Sequence, residues 1–422
     1  MKRDVVTTSC FAILGRILGF LIPFIIAATY GVDHETDAFF LAYAVIVAIQ
    51  MVVGNAFEIA VVPYIAELSS QKRDTKGFLG SVIVRSSVAI TILTVLLIVG
   101  LYTALSPESF DAPTLDLGAS LLVEMLPIAL FTVWTSTING ALNANKRFKI
   151  PALSPFFRSS VTIAFVILFD EKLGIHSVAL GYTLGELFRF VVSLSFYVYA
   201  IGTIRLGWEL EDTARTFFKS VAYQTAGMAI VCGLPLAGQI IALYTGTGKL
   251  SLYSYAERLR NIPVMLFFSG VLPVVFSHWS NEFSHKGDRV NLDSKKKVVV
   301  RLGLVAVACS VLLILLRLPV SRLVFDHGAF SEENLGPVST IFAIMIAALA
   351  FDVMGLLCTR ILIILRRDRV FLELTAARLA VAIISSIILL EEFGVYGIAS
   401  GFALANGLYA AISYRKVFGR QG

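Results

Sequence analysis

Apolar stretches of about 20 residues recur from one end of the chain to the other, and this recurrence restricts the fold more than any other feature. A helix of that length spans about 30 Å, the thickness of the hydrocarbon core of a bilayer. No long polar block separates the stretches, hydrophobic residues make up 57% of the 422 residues, and the mean hydropathy is +0.82. The sequence therefore predicts an all-α, multi-pass membrane protein with about twelve transmembrane helices, at residues 5–30, 37–68, 77–105, 118–143, 151–169, 176–201, 218–244, 251–280, 298–317, 335–365, 370–390 and 395–414.

The positive charges in the loops predict how these helices are oriented. Lys and Arg in short loops favour the cytoplasmic side of a membrane. With the N-terminus inside, 22 Lys and Arg residues lie in predicted cytoplasmic loops and four lie in the opposite loops. Both termini are therefore expected in the cytoplasm, and the first helix, which lacks a small-residue cleavage site, is expected to be retained. The net charge of +6 follows from this topology and requires no nucleic-acid partner.

An even division near Gly207 gives two blocks of six helices, predicted as lobes 1–207 and 208–422. The blocks echo each other weakly: IIAATYG at 25–31 resembles IIALYTG at 240–246, and VVP at 61–63 resembles VLP at 271–273. Parallel repeats of this kind occur in transporters. The loops are too short to hold a catalytic domain, which argues against an enzyme such as a membrane glycosyltransferase.

Charged residues inside apolar stretches are costly and indicate functional positions by default. Arg16 lies about eleven residues into the first helix, roughly 16 Å deep, and is expected to face an acidic partner or water. Asp37 and Glu58 on the second predicted helix are candidate partners, either in a packing ion pair or in substrate contact. Glu124 is a candidate site for a coupling proton or cation. The cysteines and histidines show no metal-ligand or disulfide spacing, so no metal or cofactor is expected.

The remaining intramembrane arginines have local interpretations. Arg189 is expected to pair with Glu186 at i,i+3, and Arg158, near a helix end, is expected to extend toward the headgroups. Residues two apart point about 200° apart on a helix, so one of Arg258 and Arg260 can face a cavity while the other contacts lipid headgroups. The interfacial position is favoured for Arg260. Arg378 is expected to serve the cytoplasmic end of its helix.

Three colinear blocks of the sequence resemble the MurJ/MviN family of lipid-linked cell-wall precursor flippases. They are GRILGFLIPFIIAATYGVDHETDAFFLAY at 15–43, YSYAERLRNIPVMLFFSGVLPVVFS at 253–277 and LVFDHGAFSEENLGPVSTIFAIMIAALAFDVMGLLCTRILIILRRDR at 323–369. The resemblance implies the fold of the multidrug/oligosaccharidyl-lipid/polysaccharide (MOP) exporter superfamily, in which two six-helix lobes form a V-shaped, MATE-like transporter that works by alternating access.

The resemblance also implies which residues bind the substrate. Arg16 matches the first family arginine, Asp37 the acidic residue of TDAFF, and Arg258 the arginine of the family's ADRL motif. Arginine offers paired donors to phosphate oxygens, which suits a diphosphate headgroup. Glu58, Glu124 and Arg189 are candidate coupling or cavity residues.

The sequence also departs from the family pattern. Ile22 and Pro23 stand where the family has a second Arg-Asp pair, and Gln50 and Met51 stand near its arginine pair. Family members usually have fourteen helices, against about twelve predicted here. These departures weaken the assignment to peptidoglycan lipid II and are accommodated by a flippase for another undecaprenyl-linked glycan, such as an exopolysaccharide or O-antigen unit. The predicted function is a bacterial inner-membrane flippase, working as a monomer among membrane lipids, for an undecaprenyl-diphosphate-linked saccharide that is either a cell-wall precursor or an exopolysaccharide or O-antigen unit.

Two alternatives remain open. A MATE-like, cation-coupled exporter of small molecules would carry carboxylates and aromatic residues, rather than arginines, in its cavity. A membrane partner protein without transport activity would use its arginines for assembly alone.

Overall fold

Helices form all the regular structure in the part of the chain that the structure describes, as burial in lipid requires of every backbone polar group. The computed structural model describes residues 15, 18–104, 112–208, 212–266, 275, 279, 282, 292–365 and 367–419. The helices are α1 Leu18–Tyr30 and α2 His34–Ile49, α3 Asn55–Ser70, α4 Thr75–Ala104, α5 Ala112–Met125, α6 Pro127–Ala144, α7 Lys149–Leu173, α8 His176–Ala200, α9 Asp212–Leu243, α10 Lys249–Leu266, α11 Leu292–Leu315, α12 Arg317–Phe325, α13 Glu332–Ala347, α14 Leu349–Ile364, α15 Asp368–Phe393 and α16 Val395–Phe418.

Within the described ranges, nine helical segments are long and apolar enough to cross a membrane. They match nine of the twelve predicted spans. The other three predicted spans coincide with α1, α9 and α10, of which the first two contain the shorter apolar helices Leu18–Tyr30 and Met228–Leu243. The all-α membrane fold is confirmed, and the exact number of twelve helices stays a prediction.

Three of the nine membrane segments are interrupted near their middle. Between α2 and α3 the chain forms one π-helical turn, Gln50–Gly54. Leu126 separates α5 from α6, and Ala348 separates α13 from α14. A π turn inserts a residue into the helical ladder and often lies at a functional site, and here it places the polar side chain of Gln50 inside the protein.

The chain divides into two compact units, one of Met1–Ile26 with Asp33–Cys232 and one of Ala27–Val32 with Gly233–Gly422. In unit 1, α7 packs along α8, α6 packs on α8 and α4, and α5 packs on α2 and α8. In unit 2, α15 packs along α16, α14 packs on α16 and α11, and α13 packs on α10 and α16. The same set of helix pairs therefore occurs inside each unit. The predicted lobe boundary near Gly207 stays a prediction.

Asp33 caps the N-terminus of α2. Its side chain accepts a hydrogen bond from the backbone N–H of His34 at 2.7 Å, and the Thr36 hydroxyl accepts one from the backbone N–H of Asp33 at 3.0 Å. The two acidic residues of the first turn, Glu35 and Asp37, add favourable interactions with the helix dipole. Hydrogen bonding to the side chain and backbone of His34 lowers the pKa of the Asp33 carboxyl from its ordinary value.

We expect Asp33→Ala to lower the free energy of unfolding by about 1 kcal/mol, the usual value of an N-cap. Asp33→Asn, which keeps an oxygen acceptor, should lose less. Because the folded-state pKa of Asp33 is lowered, its ionised form stabilises the fold above the unfolded pKa, and this contribution fades as the pH falls through the folded pKa. Thermal unfolding of the purified variants at neutral and acidic pH measures both the capping contribution and its dependence on ionisation. If Asp33→Ala lost the same free energy of unfolding at the two pH values, the ionised carboxylate would contribute no extra stability.

Candidate functional sites in the two units

Unit 1 holds an ion cluster centred on Glu186. The side chain of this residue, on α8, is fully buried. Its Oε1 lies 2.9 Å from Nη1 of Arg189, one turn along the same helix, and its Oε2 lies 3.7 Å from Nη1 of Arg158 on α7. Thr132 on α6 lies 3.5 Å from Oε1 of Glu186 and accepts a hydrogen bond from the Gln50 amide at 2.9 Å. The cluster therefore joins four elements of unit 1, and the predicted Glu186–Arg189 pair is present.

A second carboxylate of unit 1 lies near this cluster. Glu58 on α3 accepts a hydrogen bond from Nδ2 of Asn143 on α6 at 3.1 Å, and the positive charge of Arg189 acts on it. Arg189 also donates through Nε to the hydroxyl of Ser154 at 3.0 Å. Arg189 thus has Glu186 and Ser154 as direct partners, and Glu58 as a further negative charge.

Unit 2 holds a corresponding cluster centred on Asp352, on α14. Its side chain is 5% exposed and forms ion pairs with Arg260 on α10 and with Nη2 of Arg378 on α15, the latter at 3.1 Å. Arg378 also donates through Nε to Oδ1 of Asn406 on α16 at 2.8 Å, and its guanidinium lies 4.9 Å from the centre of the Tyr409 ring. Each buried carboxylate is therefore held by two arginines, an arrangement that satisfies its charge where water is excluded.

Two sequence spacings, 210 and 220 residues, relate four members of one cluster to four members of the other. The unit 1 quartet is Gln50, Thr132, Arg158 and Glu186, and the unit 2 quartet is Arg260, Asp352, Arg378 and Asn406. The first members are 210 residues apart, which is also the spacing of the VVP and VLP motifs, and the other three pairs are each 220 apart. In both quartets the first member bonds to the second, and the third contacts the fourth. The carboxylate, however, is the fourth member in unit 1 and the second in unit 2.

The backbone supports the same correspondence. Gly174 and Gly394, also 220 residues apart, end α7 and α15 with φ of 53° and 56°. This left-handed region is readily available to glycine alone. Each glycine is followed at once by the helix that carries the fourth quartet member, so the two hairpins turn in the same way.

The structure places the predicted substrate residues as follows. Arg16 lies outside the described residues. Asp37 is 1% exposed in the first turn of α2, and Arg258 is partly buried on α10, beside Glu257. Their contact with a substrate, and the pairing of Arg16 with an acidic residue, stay predictions.

Glu124, a predicted coupling residue, has a histidine partner. Its Oε1 lies 2.7 Å from Nδ1 of His176, and its backbone carbonyl accepts a hydrogen bond from the Thr183 hydroxyl at 2.9 Å. The two side chains are 25% and 36% exposed. The pair ties α5 to α8, and a coupling role for Glu124 stays a prediction.

Three arginines were assigned incorrectly from the sequence. Arg158 does not extend to the headgroups, since it faces the buried Glu186. Arg260, assigned to the interface, forms an ion pair with the buried Asp352. Arg378, assigned to a helix entry, binds the same carboxylate. In each case the counter-charge comes from another helix far away in the sequence, so local spacing could not reveal it.

Sequence reasoning also missed the uncharged quartet members Gln50, Thr132 and Asn406, because single amide and hydroxyl groups are common in membrane helices. The 210- and 220-residue spacings were the signal that could have found them. Metal binding has no support in the ranges that the structure describes, where no three His, Cys, Asp or Glu residues group together.

The motifs behind the family resemblance meet inside unit 2. The Tyr255 hydroxyl donates to the Gly31 carbonyl at 2.9 Å, and the Ala329 N–H donates to the Ala28 carbonyl at 2.7 Å. The Tyr255 ring packs against the rings of Phe325 and Phe330 at 5.6 and 5.9 Å. Residues from all three sequence blocks therefore build one local structure.

Comparison with known proteins agrees with these motifs. The lipid II flippase MurJ of Burkholderia cenocepacia is 24% identical over 383 residues, which cover 85% of this chain and 72% of that protein. A solved structure of a lipid II flippase MurJ in an inward closed conformation has a TM-score of 0.84 and 24% identity over 98% of this chain and 87% of that one. An inward-facing MATE family multidrug resistance transporter of the MOP superfamily has a TM-score of 0.81 and 11% identity, covering 97% and 96% of the two chains.

At these identities the two structures show a shared fold alone. The family is shown by the sequence: the family model for the lipid II flippase MurJ matches residues 26–420, which is nearly the whole chain. This protein belongs to the lipid II flippase MurJ family.

Proposed function

We propose that this protein is a flippase that moves a polyprenyl-diphosphate-linked saccharide of the lipid II class across the bacterial inner membrane by alternating access. The match of the MurJ family model over residues 26–420 carries the proposal. It acts as a monomer, with both termini in the cytoplasm, and supplies binding and orientation to a lipid whose covalent bonds stay intact.

Arginine chemistry supports the assignment of a diphosphate headgroup. Arg16 and Arg258 match family arginines, and a guanidinium binds phosphate oxygens with two parallel hydrogen bonds. Within unit 2, the ion pairs of Asp352 are made by Arg260 and Arg378. Asp37, in the first turn of α2, is the acidic substrate residue that we propose in unit 1.

The departures from the family pattern bear on which saccharide is carried. Gln50 stands near the family's arginine pair, and its amide is engaged by Thr132, so this position offers no charge to a headgroup. A second undecaprenyl-diphosphate glycan, such as an exopolysaccharide or O-antigen unit, is therefore compared directly with lipid II in the test below.

We expect Arg258→Ala to lower the rate of lipid II translocation by about 10- to 100-fold, because a hydrogen bond to a charged group contributes about 1.5–3 kcal/mol. Flipping of fluorescent lipid II in proteoliposomes measures this at matched protein content. Arg258→Lys should be intermediate, since it keeps the charge and loses the paired donors.

Arg369→Ala serves as the matched control, because that side chain is 92% exposed and its ion pair, with Glu373, is an i,i+4 contact on the same helix. Wild-type transport of lipid II that fails in Arg258→Ala and persists in Arg369→Ala supports the proposal. Transport of the exopolysaccharide or O-antigen lipid alone would overturn the lipid II assignment. Movement of neither lipid would overturn the flippase, and the small-molecule exporter and the partner protein would take its place.

A further inference from the structure

Comparison of the two units separates what helix packing requires from what unit 1 adds. Both units contain a polar quartet at equivalent positions. Unit 1 additionally has the polar trio Glu58, Asn143 and Arg189. By the same spacings, the equivalent residues of unit 2 are Phe268, Ile363 and Tyr409, of which Phe268 lies outside the described residues.

These extra polar groups are costly. A charged or hydrogen-bonding side chain inside a membrane segment is less favourable than an apolar one by up to a few kcal/mol. Unit 2 packs the helices equivalent to α6 and α8, namely α14 and α16, against each other with an isoleucine and a tyrosine at the trio positions. Packing alone therefore gives no reason for the trio, and a functional role explains its presence in unit 1.

Of the two carboxylates near Arg189, Glu58 is the one that can be neutralised at low cost. Protonation of Glu186 would remove the carboxylate that Arg158 and Arg189 share in a fully buried site. Protonation of Glu58 leaves Arg189 bound to Glu186 at 2.9 Å and to Ser154 at 3.0 Å. Glu58 is also partly exposed, whereas Glu186 is not.

The hydrogen-bond partner of Glu58 suits both protonation states. The Asn143 amide donates to Oε1 at 3.1 Å when Glu58 is ionised. An amide also has a carbonyl oxygen, which can accept the O–H of a protonated carboxyl after the amide turns over. No ion pair therefore has to form or break when Glu58 takes up the proton.

Charges near Glu58 have to be sought on every element that packs around α3. One of these is α9, whose Phe217 packs against Phe57 at 5.8 Å and which carries Arg215 and Lys219 near its start. Arg189, from α8, is the charged group that acts on it within the described residues, and Arg158 from α7 is engaged by Glu186. The sequence of α6 contains no Asp, Glu, Lys, Arg or His. On α4, Arg85 is turned toward Trp208, whose backbone carbonyl it binds.

We infer that Glu58 is a reversible proton-binding site in unit 1, with Asn143 as its hydrogen-bond partner and Arg189 as a fixed positive charge, and that its protonation is coupled to the transport cycle. The coupling part of this inference rests on the proposed flippase function. The binding step itself adds one proton to the carboxylate, converts the local charge from zero to +1 for the set Glu58, Glu186, Arg158 and Arg189, and requires no other reactant.

The first test requires no substrate. The infrared carbonyl band of protonated carboxyl groups is followed during a pH titration of the purified protein in liposomes. We expect one protonated-carboxyl component of the wild type to be missing in Glu58→Gln and to remain in Glu67→Gln, an exposed control at the end of the same helix. The double variant Glu58→Phe with Asn143→Ile carries the residues found at the equivalent positions of unit 2. It should fold, and its spectrum should lack the protonated-carboxyl component of Glu58. An unchanged titration in either Glu58 variant would overturn the site.

The second test addresses coupling. Wild-type flipping in proteoliposomes is expected to change several-fold when a pH gradient is imposed, and this response should be absent in Glu58→Gln and retained in Glu67→Gln. A pH response that persists in Glu58→Gln would overturn the coupling. If the wild type moves no lipid-linked saccharide, the proposed function fails, while the infrared titration still decides whether Glu58 binds the proton.

Discussion

Replacing Asp352 with threonine, the residue at the equivalent position of unit 1, is expected to lower the free energy of unfolding by about 3–5 kcal/mol. The reason is that Arg260 and Arg378 both direct a guanidinium at this carboxylate and would stay buried without a counter-charge. Thermal unfolding in detergent measures the loss.

A transplant of the other quartet tests the cause of that loss. The triple variant Arg260→Gln, Asp352→Thr and Asn406→Glu gives unit 2 the same four side chains as the unit 1 quartet. It keeps Arg378 and places a carboxylate beside it on α16, so most of the stability should return. Glu373→Gln, which breaks an exposed i,i+4 pair, should cost less than about 0.5 kcal/mol. A triple variant as unstable as Asp352→Thr would show that the quartets are not equivalent.

Replacing Glu186 with asparagine should produce a loss of similar size in unit 1, about 3–5 kcal/mol. Arg158 and Arg189 would then lose their shared carboxylate, and Ser154 would stay as the hydrogen-bond partner of Arg189. The same unfolding experiment measures this loss.

The compensating change moves the carboxylate to the position it occupies in unit 2. In the double variant Thr132→Asp with Glu186→Asn, the negative charge lies on α6 beside Gln50, and most of the lost stability should be recovered. Glu171→Gln, at an exposed position of α7, is the surface control. If the double variant is less stable than Glu186→Asn alone, the carboxylate position is specific to each unit and the proposed exchange is wrong.

Together these experiments separate structural charges from transport charges. The quartet carboxylates and their arginines hold helices together, so their loss should appear first in stability. Replacement of Arg258 should first change the flipping rate, and replacement of Glu58 should first change the pH dependence of that rate. A transporter that moves its parts against one another needs each part to stay rigid, and buried ion clusters that join several helices supply that rigidity.

Sequence reasoning succeeded where the signal was local. The apolar stretches predicted helices at the right places because hydrocarbon thickness sets the length of a span. Spacing at i,i+3 on one helix predicted the Glu186–Arg189 pair. The family motifs, short and colinear, predicted the membership that the family model shows.

Sequence reasoning failed where the partner was distant. Arg260 and Asp352 are separated by 92 residues, and Arg158 and Glu186 lie on different helices, so nothing local could show that each charge was already paired. The direction in which a helix face points depends on the neighbours that pack against it.

What the sequence by itself determined, then, is the membrane environment, the helices and the family, because hydropathy, length and motif are properties of contiguous residues. The tertiary structure alone decided which intramembrane charges are paired with one another and which, such as Glu58, are left with a neutral partner. The physical reason is that an ion pair in a low-dielectric interior depends on distances of a few ångströms between helices, and those distances are set by packing rather than by position along the chain.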